Sequence, residues 1–278
     1  MIRLSLAAAA IALVLGAPVA QAADAPLKAA IAGPQRAAEN RARDPARHPA
    51  ETLAFWGLKP RQTVIELVPG TGYWTEILAP YAKATGGRYE AAVADVDNPN
   101  LSEGARKARA AFEAKYADAA KFGQIGYVNF GAVSKGLGPA GSADMVITAR
   151  NIHNWMWTPG QLDKVLADTY AVLKPGGVLA VEEHRADPRA QVADARDGYV
   201  ATAAVVAAAE KAGFRLAGKS DVNANPKDTK DHPFGVWTLP PTRQSAANGK
   251  PADPAFDHAK YDAIGESDRM TLRFVKGG

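Results

Sequence analysis

Apolar and polar positions change period most sharply at residues 63–75, TVIELVPGTGYWT. Val64, Ile65, Leu67 and Val68 make a run without a polar face, which predicts a strand buried on both sides of a parallel sheet. Pro69, Gly70 and Gly72 then force a tight turn. Beyond it Tyr73, Ile77, Leu78 and Tyr81 recur at three- and four-residue spacing, predicting a helix that ends near Pro80. The same alternation continues along the chain. Strands are expected at 89–93, 125–130, 144–148 and 178–181, and a sixth after the Ala212-Gly213-Phe214 turn. Helices are expected at 103–116, at 161–173, and between Asp194 and Gly213, the last containing Tyr199. Upstream, residues 37–56 read as two short helices separated near Asp44-Pro45 and His48-Pro49. Near the end, Met270, Leu272 and Phe274 alternate as in a final strand at the sheet edge. Strands that alternate with helices predict an α/β fold, a doubly wound and mostly parallel sheet with helices on both faces.

Composition changes this picture at the N-terminus. Residues 1–22 carry one charge, Arg3, then an apolar run from Leu4 to Leu15 and the triplet Ala20-Gln21-Ala22, the pattern of a secretory signal peptide cleaved after Ala22. The run is too short for a comfortable membrane span, so no stable span is expected after cleavage. The expected organisation is a signal peptide at 1–22, a helical extension or lid at 23–48, and one large domain at 49–278, in a periplasmic or secreted protein. With no cysteine, disulfides, thiolate metal sites and cysteine nucleophiles are excluded. A net charge of +4 is spread along the chain, with no block of Lys and Arg interleaved with aromatics, so a small molecule is a better partner than nucleic acid. The one basic stretch, from Arg36 to Arg47, is interrupted by Glu39 and Asp44 and reads as a solvated helix face.

A strand, a glycine turn and a helix in that order make a nucleotide-sized pocket, because glycines admit the ligand and the helix N-terminus presents free N–H groups. Glu66 faces that turn and would repel a phosphate. Thr75 replaces the third glycine of a dinucleotide fingerprint, and Tyr73-Trp74 replaces the Lys-Ser/Thr of a phosphate loop. The stretch resembles the first motif of class I S-adenosylmethionine-dependent methyltransferases, in which an acidic residue precedes three glycines at alternate positions. Glu66, Gly70 and Gly72 match; Val68 stands where the first glycine usually does. LKPGGVLAVEEH, residues 173–184, is typical of the same class, and the resemblance spans about residues 53–222. RNIHNW (150–155), HRADP (184–188) and residues 223–241 and 263–276 resemble a bacterial group of exported predicted methyltransferases.

The resemblance implies a seven-stranded Rossmann-like methyltransferase fold with S-adenosyl-L-methionine as cofactor. Candidate contacts are Glu66, Gly70, Gly72 and Tyr73 at the turn. Asp95 or Asp97, after the second strand, suits the ribose hydroxyls, although Asp97 could equally cap the next helix. Asn129 and Phe130 suit the adenine. Arg150 and Asn151 leave the fourth strand beside His153 and Asn154, polar groups that are costly to bury without a partner.

Methyl transfer to oxygen or nitrogen needs alignment and a general base. His153, His184 and His232 are the candidate bases, in that order, because their loops converge over the cofactor in this fold; Tyr199 is a candidate substrate contact. The same histidines with Glu183 or Asp231 could hold a metal ion for metal-assisted hydrolysis, a weaker alternative without H-x-x-H or H-x-E spacing, and no metal is assigned. A non-catalytic binding protein that kept the pocket is the main alternative, since S-adenosylmethionine is made in the cytosol and Val68 departs from the motif.

Overall fold

A computed structural model describes residues 25–188, 191 and 194–277; the expected signal peptide, residues 1–22, lies outside them. Four short helices come first, α1 (Ala25–Ala32), α2 (Ala38–Arg41), α3 (Asp44–Arg47) and α4 (Pro49–Trp56). Pro45 and Pro49 occupy the first turns of α3 and α4, where a missing N–H is no loss. The chain then runs β1 (Thr63–Leu67), α5 (Thr75–Thr85), β2 (Arg88–Ala94), α6 (Glu103–Lys115), α7 (Ala119–Phe122), β3 (Ile125–Phe130) and β4 (Ala143–Ala149). It continues with α8 (Ile152–Trp155), α9 (Gln161–Val172), β5 (Leu173–His184), α10 (Thr202–Lys211), β6 (Phe214–Ser220), a 3-10 turn (Gly235–Thr238), α11 (Ala259–Ile264) and β7 (Arg269–Lys276). No described helix is long and apolar enough to cross a membrane.

The strands form one seven-stranded sheet in the order β3-β2-β1-β4-β5-β7-β6, with only β7 antiparallel to its neighbours. Successive residues of the inner strands enter opposite cores. Val64, Met145, Ile147 and Val178 pack with α1, α4 and α5, whereas Ile65, Leu67, Val146 and Leu179 pack with α9 and α10. Helices therefore cover both faces, as the unbroken apolar runs require. The strand order reverses between β1 and β4, and the crevice outside their carboxyl ends is where such sheets bind ligands.

Several expectations are corrected. The helix after the glycine turn does not end at Pro80: α5 runs to Thr85 with Pro80 inside it. Proline cannot donate to the carbonyl of Glu76, but Gln35 Nε2 reaches that carbonyl at 3.2 Å and satisfies it from outside. Tyr199 lies before α10, since the preceding Gly198 has φ +81° and Val200 bridges to Arg185 instead of starting a helix. β7 is no edge strand; it inserts between β5 and β6, and Met270, Thr271 and Leu272 are all buried. Asp97 caps nothing, because the N-cap of α6 is Ser102, whose Oγ accepts from Ala105 N. The basic stretch is not a solvated face: Arg36 and Arg47 are buried, Arg36 against Asp44 and Arg47 against Glu266.

One carboxylate ties the N-terminal helices to α5. Glu76, in the first turn of α5, accepts from Ala37 N at 2.9 Å and from Asn40 Nδ2 at 2.8 Å, with Lys115 and Tyr116 on its other oxygen. This holds α2 and α3 above the carboxyl edge of β1.

Candidate active site

At that edge lies a cavity of about 290 Å3, lined from β1 and its turn by Glu66, Val68, Gly70 and Tyr73, from β4 by Arg150, Asn151 and His153, and from β5 by His184. Arg43 and Arg47 close it from the N-terminal helices, and Trp237, Glu266 and Ser267 from the C-terminal segment. Its walls thus come from five separate parts of the chain.

The floor is the turn after β1. Gly70 and Gly72 take φ of +59° and +92°, and Val68 also adopts a left-handed conformation, φ +48°. A β-branched residue is strained there, so the backbone keeps the conformation that glycine would give freely while an isopropyl group stands 39% exposed on the cavity wall. The two glycines serve different ends. A Cβ on Gly70 would meet nothing within 4 Å, whereas one on Gly72 would lie 1.7 Å from Tyr116 Oη. Gly70 keeps the cavity open, and Gly72, outside the lining, admits Tyr116 behind the turn.

Glu66 is buried on this floor and accepts from Thr75 Oγ1 at 3.0 Å and from the Tyr89 hydroxyl. Burial raises its carboxyl to about 7, against the opposing pull of Tyr89 and Thr75. Asn151 is a brace as well as a wall: its Nδ2 donates to the carbonyls of Leu67 and Ala149, tying the ends of β1 and β4 together. Tyr73 turns its hydroxyl to Asp44 at 2.6 Å and its ring face to Arg47.

Glu183, fully buried in β5, organises the far wall. Its Oε1 accepts from His153 Nδ1 at 2.9 Å and from His184 N at 2.8 Å, and its Oε2 accepts from Ile152 N and His153 N. A carboxylate ringed by N–H groups fixes His153 as the Nδ1–H tautomer, which leaves Nε2 as an acceptor without a partner among the described residues. His184 bonds through Nδ1 to Ser267 Oγ at 2.6 Å. Burial, with His153, Arg150 and Arg269 nearby, holds it well below the ordinary histidine value, so it stays neutral. His153, Glu183 and His184 are the only described trio whose ligand atoms lie within 4.8 Å of one another. With four N–H groups already on Glu183, this arrangement is an oriented histidine rather than a free ligand set.

The other expected site residues sit elsewhere. Asp95, Asp97 and Asn129 line a second cavity of about 460 Å3, past the ends of β2 and β3. They form a chain in which Asp97 N donates to Asp95 and Asn129 Nδ2 donates to Asp97 Oδ2. Phe130 is core, its ring 5.8 Å from that of Trp155. His232 and Tyr199 line neither cavity. Both bind Asp228, His232 Nε2 at 2.8 Å and the Tyr199 hydroxyl at 3.0 Å, in a buried knot beside the site. The sequence reading did not single out Arg43, Arg47, Trp237 or Glu266 for the site, nor Glu183 as the partner that orients His153. The four-residue spacing of Arg43 and Arg47 was the one signal available.

The groups present fit the cofactor that the turn motif implies. Gly70 leaves open space at the turn, Glu66 offers an acceptor for an ammonium group, and the Asp95–Asp97–Asn129 chain offers acceptors for ribose hydroxyls.

Comparison with known proteins bears on the same regions. Among curated proteins there is no match. Of solved structures, the [4+2]-cyclase SpnF has a TM-score of 0.55 at 15% identity, over 88% of this chain and 86% of its own. A candidate sarcosine dimethylglycine methyltransferase from Galdieria sulphuraria has 0.53 at 13%, over 86% and 88%. A SAM-dependent methyltransferase from Aquifex aeolicus has 0.49 at 18%, over 66% and 87%. At such identities the likeness concerns the fold. The sequence profile of the ubiE/COQ5 methyltransferase family matches residues 48–204, more than half of the chain and the whole span from α4 to the start of α10. The chain therefore belongs to the ubiE/COQ5 methyltransferase family, within the class I S-adenosylmethionine-dependent methyltransferases.

Proposed function

We propose that this protein methylates an oxygen or nitrogen of a small-molecule acceptor, with His153 as general base, and that it works outside the cytosol. The observation that carries this is the His153–Glu183 pair, set in the wall of the cavity whose floor is the glycine turn. When bound, S-adenosylmethionine supplies a sulfonium methyl open to in-line attack, so alignment and proton removal are left to the protein. Glu66 and the turn around Gly70 would hold the amino-acid end, and Asp95 with Asp97 the ribose. His153 Nε2 accepts the proton that the acceptor's hydroxyl or amine must lose. Glu183 keeps the imidazole in the required tautomer and stabilises the imidazolium that results. Residues 23–48 act as the lid of a methyltransferase domain formed by 49–278, with Arg43 and Arg47 closing the cavity. Export is supported by the signal-peptide pattern of residues 1–22.

Val68 favours one second reading, a fold that binds a small molecule without transferring methyl, because its side chain narrows the floor where the motif usually has glycine. The two separate in one assay: release of S-adenosylhomocysteine from S-adenosylmethionine by the full chain, over a panel of phenols, amines and carboxylic acids. Release with an acceptor, lost in His153→Gln, is expected. Release that survives His153→Gln overturns the assignment of the base, and cofactor binding without any release supports the second reading.

A further inference from the structure

The lid side of the cavity carries more positive charge than its own residues balance. Arg43 Nε and Arg47 Nε both hold Glu266, at 2.6 and 3.1 Å, and Arg269 joins the same carboxylate while pairing with Glu182 at 3.2 Å. Burial alone would raise the Glu266 carboxyl, but Arg269, Arg43 and Arg150 hold it below its ordinary value. One shared carboxylate cannot satisfy this set. Arg47 is fully buried, yet its NH1 and NH2 have no hydrogen-bond partner, and only the Tyr73 ring, 4.4 Å away, faces the guanidinium. The Arg150 side chain, on the cavity wall, has no hydrogen bond or ion pair among the described residues, and its Nε is buried; only its backbone N–H is paired, with the Glu182 carbonyl at 2.7 Å. Buried guanidinium donors left unpaired cost free energy, which an anion entering the cavity would recover.

We infer that the Arg43–Arg47–Arg150 cluster is a carboxylate-binding site, and that the acceptor of this enzyme is a small carboxylate with a flat body. The cavity could also receive the cofactor's own carboxylate, but charge favours a second anion. S-adenosylmethionine brings an ammonium and a sulfonium with its one carboxylate. It therefore adds net positive charge to a cluster in which Arg43, Arg47 and Arg269 share Glu182 and Glu266 as ion-pair partners and the Arg150 side chain has none among the described residues. An anionic acceptor relieves this, and Arg presents the planar fork that suits carboxylate. The flat body follows from Trp237, a cavity wall whose ring lies 5.7 Å from His153 and 6.1 Å from Trp157. The acceptor role rests on the methyl-transfer function proposed above; the carboxylate site does not.

The test is calorimetry on the full chain with benzoate and its neutral counterpart benzamide, each titrated into protein loaded with S-adenosylhomocysteine. 5′-Methylthioadenosine, which lacks the amino-acid end, is titrated separately. Benzoate should bind about tenfold more tightly than benzamide, and Arg150→Gln and Arg47→Met should each remove that preference while leaving 5′-methylthioadenosine binding unchanged. The Arg150 side chain has no partner among the described residues to lose, and its backbone bond to Glu182 survives substitution, so its variant separates binding from folding. Equal binding of benzoate and benzamide overturns the inference. So does a result in which the variants weaken S-adenosylhomocysteine but not benzoate, since the arginines then serve the cofactor. If neither nucleoside binds but benzoate does, with the same arginine dependence, the carboxylate site stands and the methyltransferase reading fails.

Discussion

Two histidine–carboxylate pairs lie side by side at the carboxyl edge of the sheet. His153 binds Glu183 at 2.9 Å and His232 binds Asp228 at 2.8 Å, both pairs are buried, and each carboxylate accepts from several donors. Around Asp228 these are Tyr199, His232, Lys230 N and Asp268 N; around Glu183 they are His153 and three backbone amides. The difference is access. His153 stands in the wall of the cavity beside the glycine turn, whereas the Asp228 knot lines neither that cavity nor the one past β2 and β3. A polarised histidine is therefore a chemical site only where the fold leaves a ligand room to reach its second nitrogen. Elsewhere the same pair is a fastening, here between the 223–241 loop and the start of β7.

The largest expected difference between the pairs is in rate. His153→Gln should lower methyl transfer by about 10²- to 10⁴-fold, the usual worth of a general base, with the protein still folded. His232→Gln should leave the rate nearly unchanged and instead cost about 1–3 kcal/mol of stability through its lost hydrogen bond. Equal rate losses would break the distinction. Next, Glu183→Gln and Asp228→Asn should both destabilise by about 3 kcal/mol, because an amide nitrogen meets donors where an acceptor stood, yet only the first should also slow transfer. Chemical denaturation with parallel rate measurements would show it.

A pH effect sharpens the contrast at the cavity floor. Burial raises the Glu66 carboxyl from 4.5 to about 7, so the folded protein holds this proton where the unfolded chain has released it. Stability from this group is full below about pH 4.5 and falls as pH rises through 7, by up to about 3 kcal/mol in total. Glu66→Gln should flatten that decline, which denaturation at pH 5, 6, 7 and 8 would reveal; an unchanged slope would refute it. The smallest change expected is for Val68→Gly. Relief of left-handed strain, about 1–2 kcal/mol, should slightly exceed the conformational entropy cost of glycine, giving a small rise in melting temperature by calorimetry.

Much of the fold was legible because the strands of a doubly wound sheet are apolar on both faces and its turns are marked by glycine. β1, β3 and α9 fall within a residue of their expected positions for that reason. What escaped depended on partners far along the chain. Pro80 reads as a stop, and only Gln35, folded back onto the Glu76 carbonyl, lets α5 continue. Met270, Leu272 and Phe274 alternate like an edge strand, and nothing local says that β7 inserts between β5 and β6. Arg47 reads as solvated because its carboxylate, Glu266, lies at the other end of the sequence. At the site, the turn and the β4 and β5 exits could be read from motif position, which brought Glu66, Gly70, His153 and His184 together in advance. His232 and Tyr199 reach the same neighbourhood and turn away, a matter of side-chain direction that spacing does not encode.

The most direct measurement is calorimetric binding of S-adenosylhomocysteine to the chain and to Gly70→Asn. Asparagine tolerates the left-handed conformation of residue 70, and its side chain would project into the open space above the turn, so the variant should fold with the floor obstructed. Roughly micromolar binding to the natural chain, weakened about tenfold or more in Gly70→Asn at an unchanged melting temperature, is expected for a cofactor seated on this turn. Binding that Gly70→Asn leaves intact, or no binding to the natural chain, would contradict a cofactor site on the turn.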